Sequence, residues 1–243
     1  MHAPDLALRH SPGASPTILF LPGYRSDMQG SKVLALEAWA QARGQAFLRF
    51  DYAGCGESPG AFEAQTLAGW RDDALAMIDS VIEGPVVLVG SSMGGWIMLL
   101  AALARPERVV GMVGIAAAPD FTRWGFTDAE KQQLQAAGRL EQPSDYSDEP
   151  MVTTRAFWES GEANLVLDAP IPFDGPARLL QGQRDAEVPW ELALRIAETI
   201  RSDQVQTCLV KDGDHRLSRD ADIRLLLRAT EEVLTACCSP SSC

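Results

Sequence analysis

The sequence is short of positive charge, of histidine and of long hydrophobic runs. Lysine and arginine number 21 against 33 aspartates and glutamates, a formal net charge of −12. So acidic a surface repels phosphate backbones and anionic lipid headgroups, which excludes nucleic acid as a partner and polybasic docking on membranes. The longest apolar stretches, residues 96–104 and 109–118, fall well short of the roughly 18 residues a membrane span needs, so none is expected. Cysteines number five, an odd count without framework spacing: Cys55 and Cys208 stand alone, while Cys237, Cys238 and Cys243 crowd the end. That pattern excludes a secreted disulfide scaffold and points to a reducing compartment. The first ten residues hold neither an apolar leader core nor an Arg/Ser-rich presequence, so a cytoplasmic location is expected. Residues 237–243 read as a flexible, Ser/Pro-rich tail with free thiols rather than as a metal or lipid-attachment site.

What is present is ordinary globular chemistry, 243 residues of which 46% are apolar and 22% charged. That length suits one domain over residues 1–243, large enough to bury a core without disulfides or metals. Aliphatic runs at 17–21, 46–50, 86–89, 109–115, 177–180 and 205–210 are near-continuous in hydrophobicity, as expected of parallel strands covered on both faces. Between them lie helical stripes: Val33, Leu36 and Ala40; Leu67, Trp70, Ala74, Ile78 and Val81; and Ile223, Leu226, Leu227, Thr230, Val233 and Leu234. Strands alternating with amphipathic helices predict an α/β fold built on an open, mostly parallel sheet with helices on both faces. Residues 119–176 break the rhythm and hold no strand-like run. A structureless connection of that length is improbable in a compact domain, so a small helical cap insertion is expected there.

The sharpest chemical signal is Gly90-Ser91-Ser92-Met93-Gly94, directly after the run at 86–89 and before a helical stretch. A serine at a strand-to-helix turn occupies strained backbone, and glycine two residues away on either side gives that turn room. Ser92 is therefore the candidate nucleophile. A serine hydroxyl needs a base, and of the histidines His2, His10 and His215 only His215 lies in a loop after a late strand. A carboxylate must orient that imidazole. Asp185, in the loop after the penultimate strand, is favoured by chain order; Asp120 is the serious rival, Glu187 lies further from its strand, and Asp212 and Asp214 are too local to His215. Backbone donors for an oxyanion are expected from Met93 and, in the Pro-Gly turn after the first core strand, from Tyr24. The Gly-rich stretch 51–60 lacks both G-x-G-x-x-G spacing and a P-loop lysine, so no nucleotide cofactor is expected.

Together the turn Leu21-Pro-Gly-Tyr24, the segment Asp51-Tyr-Ala-Gly-Cys-Gly-Glu-Ser58, the elbow at Ser92, the Asp185 loop and His215 resemble an α/β-hydrolase over nearly the whole chain. More narrowly, the segments 20–28, 90–96, 104–108 and 212–215 resemble the α/β-hydrolase-domain proteins known as mitochondrial palmitoyl-protein thioesterases, which also act as acyl-glucuronide esterases. The resemblance implies a Ser92–His215–Asp185 triad, hydrolysis of a small-molecule ester or thioester, and neither metal nor organic cofactor. A non-catalytic receptor on the same scaffold, or carbon–carbon bond hydrolysis by the same triad, are the alternatives. Trp96, Trp124, Trp158 and Trp190 are candidate substrate-lining residues, the rings of the insertion having as their alternative role the packing of that insertion onto the sheet. Arg25 and Arg184 flank the site, where a surface ion pair is favoured over contact with an anionic substrate.

Overall fold

The computed structural model describes residues 5–143 and 150–237. In chain order the elements are β1 (Leu8–Ser11), β2 (Ala14–Leu21), α1 (Ser31–Ala42), β3 (Gln45–Phe50), α2 (Leu67–Ser80), β4 (Val86–Ser91), α3 (Met93–Ala104) and β5 (Val109–Ile115). There follow α4 (Phe121–Trp124), α5 (Asp128–Ala137), β6 (Arg139–Gln142), β7 (Met151–Thr154) and α6 (Arg155–Glu162). The chain closes with β8 (Ala177–Gly182), α7 (Glu191–Thr199), β9 (Val205–Val210) and α8 (Asp220–Cys237). Seven strands form one sheet in the order β1-β3-β2-β4-β5-β8-β9. Only β1 runs antiparallel to its neighbour.

The apolar runs of the central strands follow from this double cover. On β2, Leu19 and Leu21 pack into the cluster that holds Trp70 and Ile78 of α2 with Ile97 of α3. Their alternates Ile18 and Phe20 join Val33 and Leu36 of α1 with Leu226 and Val233 of α8. Successive side chains of a strand point to opposite faces, so a strand between two helical layers needs both sets apolar. The parallel strands all deliver their carboxyl ends, and the loops that follow, to one edge of the sheet. No helix of the described residues is long and apolar enough to cross a membrane.

The segment between β5 and β8 differs from the all-helical expectation. Besides α4, α5 and α6 it carries a two-stranded antiparallel ribbon, β6 with β7. These strands are four residues each, and β6 (Arg-Leu-Glu-Gln) buries one side chain. Such short, polar strands carry too little periodicity to register in the sequence. The tail also begins later than expected. Cys237 closes α8, and its Sγ donates to the Val110 carbonyl; Cys238 to Cys243 lie outside the described residues.

At Gly111 of β5 the sheet and α8 touch: a Cβ there would collide with Cγ1 of Val233 and meet Sγ of Cys237 at 3.0 Å. The Gly111→Ala variant is therefore expected to lose about 1–3 kcal/mol of stability by overpacking, read as a lower midpoint in denaturant unfolding.

Candidate active site

Three loops on the carboxyl edge of the sheet bring the expected residues together. Ser92 sits between β4 and α3 with φ 54° and ψ −121°, a conformation that L-residues hold only when their surroundings over-determine it. Here the backbone does so. Its N–H donates to the Ile115 carbonyl at 2.9 Å, and its carbonyl accepts from Gly95 at 2.8 Å and from Ala118 at 3.0 Å. Two glycines make the turn possible. A Cβ on Gly90 would strike the Gly94 carbonyl, and one on Gly94 would strike the Leu21 and Pro22 carbonyls.

The Ser92 hydroxyl lies 3.1 Å from Nε2 of His215, on the loop between β9 and α8. The other ring nitrogen, Nδ1, lies 2.9 Å from Oδ2 of Asp185, on the loop after β8. That carboxylate has no exposed surface. Its Oδ1 accepts from the amides of Glu187 and Val188, each at 2.9 Å, and its Oδ2 also accepts from Nε2 of Gln181 at 2.9 Å. Burial alone would raise the Asp185 pKa, but the His215 hydrogen bond and charge and the two amides outweigh it and hold the group below its ordinary value. An ionised Asp185 only accepts, so Nδ1 carries the imidazole proton and Nε2 keeps a lone pair facing the serine hydroxyl.

The rival carboxylates are engaged elsewhere. Asp120 accepts from the amides of Val166 and Leu167 at 2.9 and 3.0 Å, tying the end of the insertion to the strand edge. Asp212 pairs with Arg219, and Asp214 accepts from the Leu217 amide. Glu187 is closer to the chemistry than the sequence suggested, its Oε2 3.6 Å from Nε2 of His215. His10 is exposed on β1, and His2 lies outside the described residues.

On the opposite side of Ser92 stands the turn after β2. A Cβ on Gly23 would lie 3.3 Å from both the Ser91 carbonyl and Cβ of Ser92, tight enough that any side chain there would press the turn away from Ser92 by a few tenths of an ångström. Met93 opens α3, and an amide in a helix's first turn has no acceptor within the helix. The side chains of the turn face the insertion. The Tyr24 hydroxyl donates to the Val152 carbonyl at 2.9 Å, and burial pushes its pKa to about 12. Arg25 donates to the Pro150 carbonyl at 2.7 Å with its guanidinium over the Phe62 ring, while Arg184 is exposed.

One of the four tryptophans is placed differently from expectation. Trp96 is fully buried, its indole donating to the Asn164 carbonyl at 3.0 Å, so it is not at a pocket rim. Trp124 donates to the Pro119 carbonyl and Trp158 to the Thr122 carbonyl, both part-buried. These three indoles clamp the insertion's own backbone; Tyr24, Phe62, Trp70, Phe121 and Phe157 form a cluster of edge-to-face and tilted rings, which Trp96 joins through Phe121. Trp190 stands half-buried at the start of α7. Two surface concavities of about 300 and 280 Å³ are lined by Leu167 and Arg195, and by Cys208 and Leu225; neither includes Ser92, Asp185 or His215.

Sequence reasoning missed Lys32, on the first turn of α1. Its ammonium donates to the carbonyl of Arg216, the residue after His215, and burial lowers its pKa to about 8. A lysine in an amphipathic stripe reads as surface, and no local signal marks it otherwise.

The chain belongs to the alpha/beta hydrolase family, whose model matches residues 18–234, and it is an enzyme of the hydrolase class. Within that family it is 42% identical over 235 residues to palmitoyl-protein thioesterase ABHD10, mitochondrial, of Homo sapiens, spanning 95% of this chain and 77% of the human protein. The solved structure of alpha/beta hydrolase domain-containing protein 10 from mouse matches with a TM-score of 0.89 at 40% identity, over 95% of this chain and 94% of that one. A structure from Agrobacterium vitis S4 also matches at 0.89, with 41% identity over 94% and 92% of the two chains. The resemblance drawn from the motifs is thus borne out. The cytoplasmic location is corrected: the curated relatives are mitochondrial by name, which points away from the cytoplasm.

Asp120 yields a prediction. In Asp120→Asn one acceptor oxygen becomes a donor facing a buried amide, so the variant is expected to lose about 1–3 kcal/mol of stability, measured by denaturant unfolding.

Proposed function

We propose that the protein hydrolyses carboxylic esters or thioesters through an acyl-enzyme on Ser92. The observation that carries this reading is the continuous relay from Ser92 Oγ through His215 to a buried Asp185, at 3.1 and 2.9 Å, on a strained strand-to-helix turn. His215 Nε2 takes the serine proton as Oγ bonds to the acyl carbon. The amides of Met93 and Tyr24 hold the oxyanion of the tetrahedral intermediate. The carbon–oxygen or carbon–sulfur bond to the leaving group then breaks, and His215 returns the proton to that group. Water, deprotonated by the same nitrogen, attacks the acyl-Ser92 carbonyl and releases the acid and the free serine. Asp185 holds the imidazole tautomer and offsets its positive charge throughout. No step calls for a metal or an organic cofactor.

The relatives' name, palmitoyl-protein thioesterase, favours a thioester with an aliphatic acyl chain as substrate. In this reading the chain lies against the ring faces of Trp124, Trp158 and Trp190, while Trp96 braces the insertion from beneath. Each methylene that the protein buries adds about 0.8 kcal/mol, close to fourfold in binding. Specificity should therefore climb with chain length until the apolar surface ends.

Three measurements test the proposal. Ser92→Ala should fold, lose nearly all turnover and lose labelling by a fluorophosphonate, whereas Ser91→Ala should keep much of both. Asp185→Asn should lower kcat on the order of 10⁴-fold and Asp120→Asn far less; the reverse order would move the acid to the earlier loop. On a series of thioesters from acetyl to palmitoyl, kcat/KM should rise with length, and Trp158→Ala should flatten the rise for long chains while sparing short ones. A flat profile in the unmodified protein would refute the aliphatic-chain assignment.

A further inference from the structure

The two edges of the main sheet are unequal. At one end β1 is four residues long and presents Arg9 and His10 to solvent, the charge and brevity that blunt an edge against pairing. At the other end β9 reads Val-Gln-Thr-Cys-Leu-Val, six residues without a charge or a proline. Among the described residues no strand pairs with its outer side. A long, uncharged edge is a template for another strand.

The hydrogen bonds to β8 say which groups that edge offers. Gln204 and Val210 turn their carbonyls inward, accepting from Ala177 at 3.1 Å and from Gln183 at 2.9 Å. Peptide groups alternate along a strand, so Val205, Thr207 and Leu209 turn theirs outward. An antiparallel partner related by a two-fold axis through Thr207 would set Thr207 against its own copy and Val205 against Leu209. All three outward residues then fall in hydrogen-bonded pairs. Carried past the strand's ends, the same register brings Asp203, in the bend before β9, toward Lys211, in the turn after it, both exposed, at each end of the ribbon. Each copy thus supplies one acid and one base, and a two-fold contact satisfies both pairs. On the α8 side of the strand, a groove of about 280 Å³ runs beside Gln206, Thr207 and Cys208, and its far wall carries Leu225, Arg228 and the Arg178–Glu232 ion pair.

We propose that β9 is a docking edge for a second copy of this chain, joining two sheets into one continuous sheet about a two-fold axis at Thr207. The dimer leaves Ser92 and its loops on the carboxyl edge of each sheet, and it does not depend on the reaction assigned above.

Sedimentation of the full chain over a concentration series tests this. The expected species has twice the 26.3 kDa mass of one chain. Thr207→Pro removes an outward N–H without touching the ladder to β8, and should yield a monomer that still turns over substrate. Asp203→Lys and Lys211→Asp alter only exposed side chains; each alone should raise the dimer Kd about tenfold, and the two together should restore it. A single-chain mass at every concentration would overturn the proposal. So would a dimer indifferent to all three substitutions, since its contact would lie elsewhere.

Discussion

The packing of α3 against the ends of β2 and β4 is the constraint on which the site depends. Gly90, Gly94 and Gly95 bring the helix so close that a Cβ at any of them would meet backbone or the Ala117 side chain. That closeness forces Ser92 into the left-handed region and fixes it there through bonds to Ile115, Gly95 and Ala118. The strain is offset by the cohesion of two core layers, since β4 is buried throughout and α3 from Met93 to Ala102. A hydroxyl raised on such a turn stands clear of the sheet, with amides at the helix's first turn directly beneath it.

Around that fixed point the remaining groups are held by the backbone more than by one another. Asp185 is locked by two amides of its own loop and by Gln181. The loop of His215 is held from outside by Lys32. The turn bearing Tyr24 is fastened to the ribbon through Val152 and Pro150. The insertion is likewise anchored by Asp120 and by the indoles of Trp96, Trp124 and Trp158. Cap and site therefore share anchors, and neither can move far without the other.

How much of this the sequence revealed follows from what kind of signal each feature leaves. The central strands were legible because a strand covered on both faces must be apolar throughout. Ser92 was legible because glycine on both sides at fixed spacing has a steric cause, and His215 because only three histidines competed for the role. Asp185 followed from topology, since parallel strands deliver successive loops to one edge. The ribbon was not legible, because four-residue polar strands carry little periodicity. Trp96 sits beneath the insertion and not at its rim for a related reason: hydrophobicity says that a ring is covered, not whether protein or ligand covers it. Lys32 gave no sign at all, because its burial comes from a loop that follows 184 residues later.

That lysine also ties the fold to proton activity. Its folded pKa of about 8 lies below the ordinary value of 10.5, so between those limits the unfolded chain binds more protons than the native one. By linkage, native stability from this group rises as pH climbs through that window and is level on either side of it. At neutral pH the ammonium is thus a burden on the fold, partly relieved by Asp214, Asp222 and Asp185. Yet a neutral amine still donates. Loss of the proton therefore weakens the hold on the carbonyl beside His215 from a charge-assisted to a neutral hydrogen bond without removing the donor.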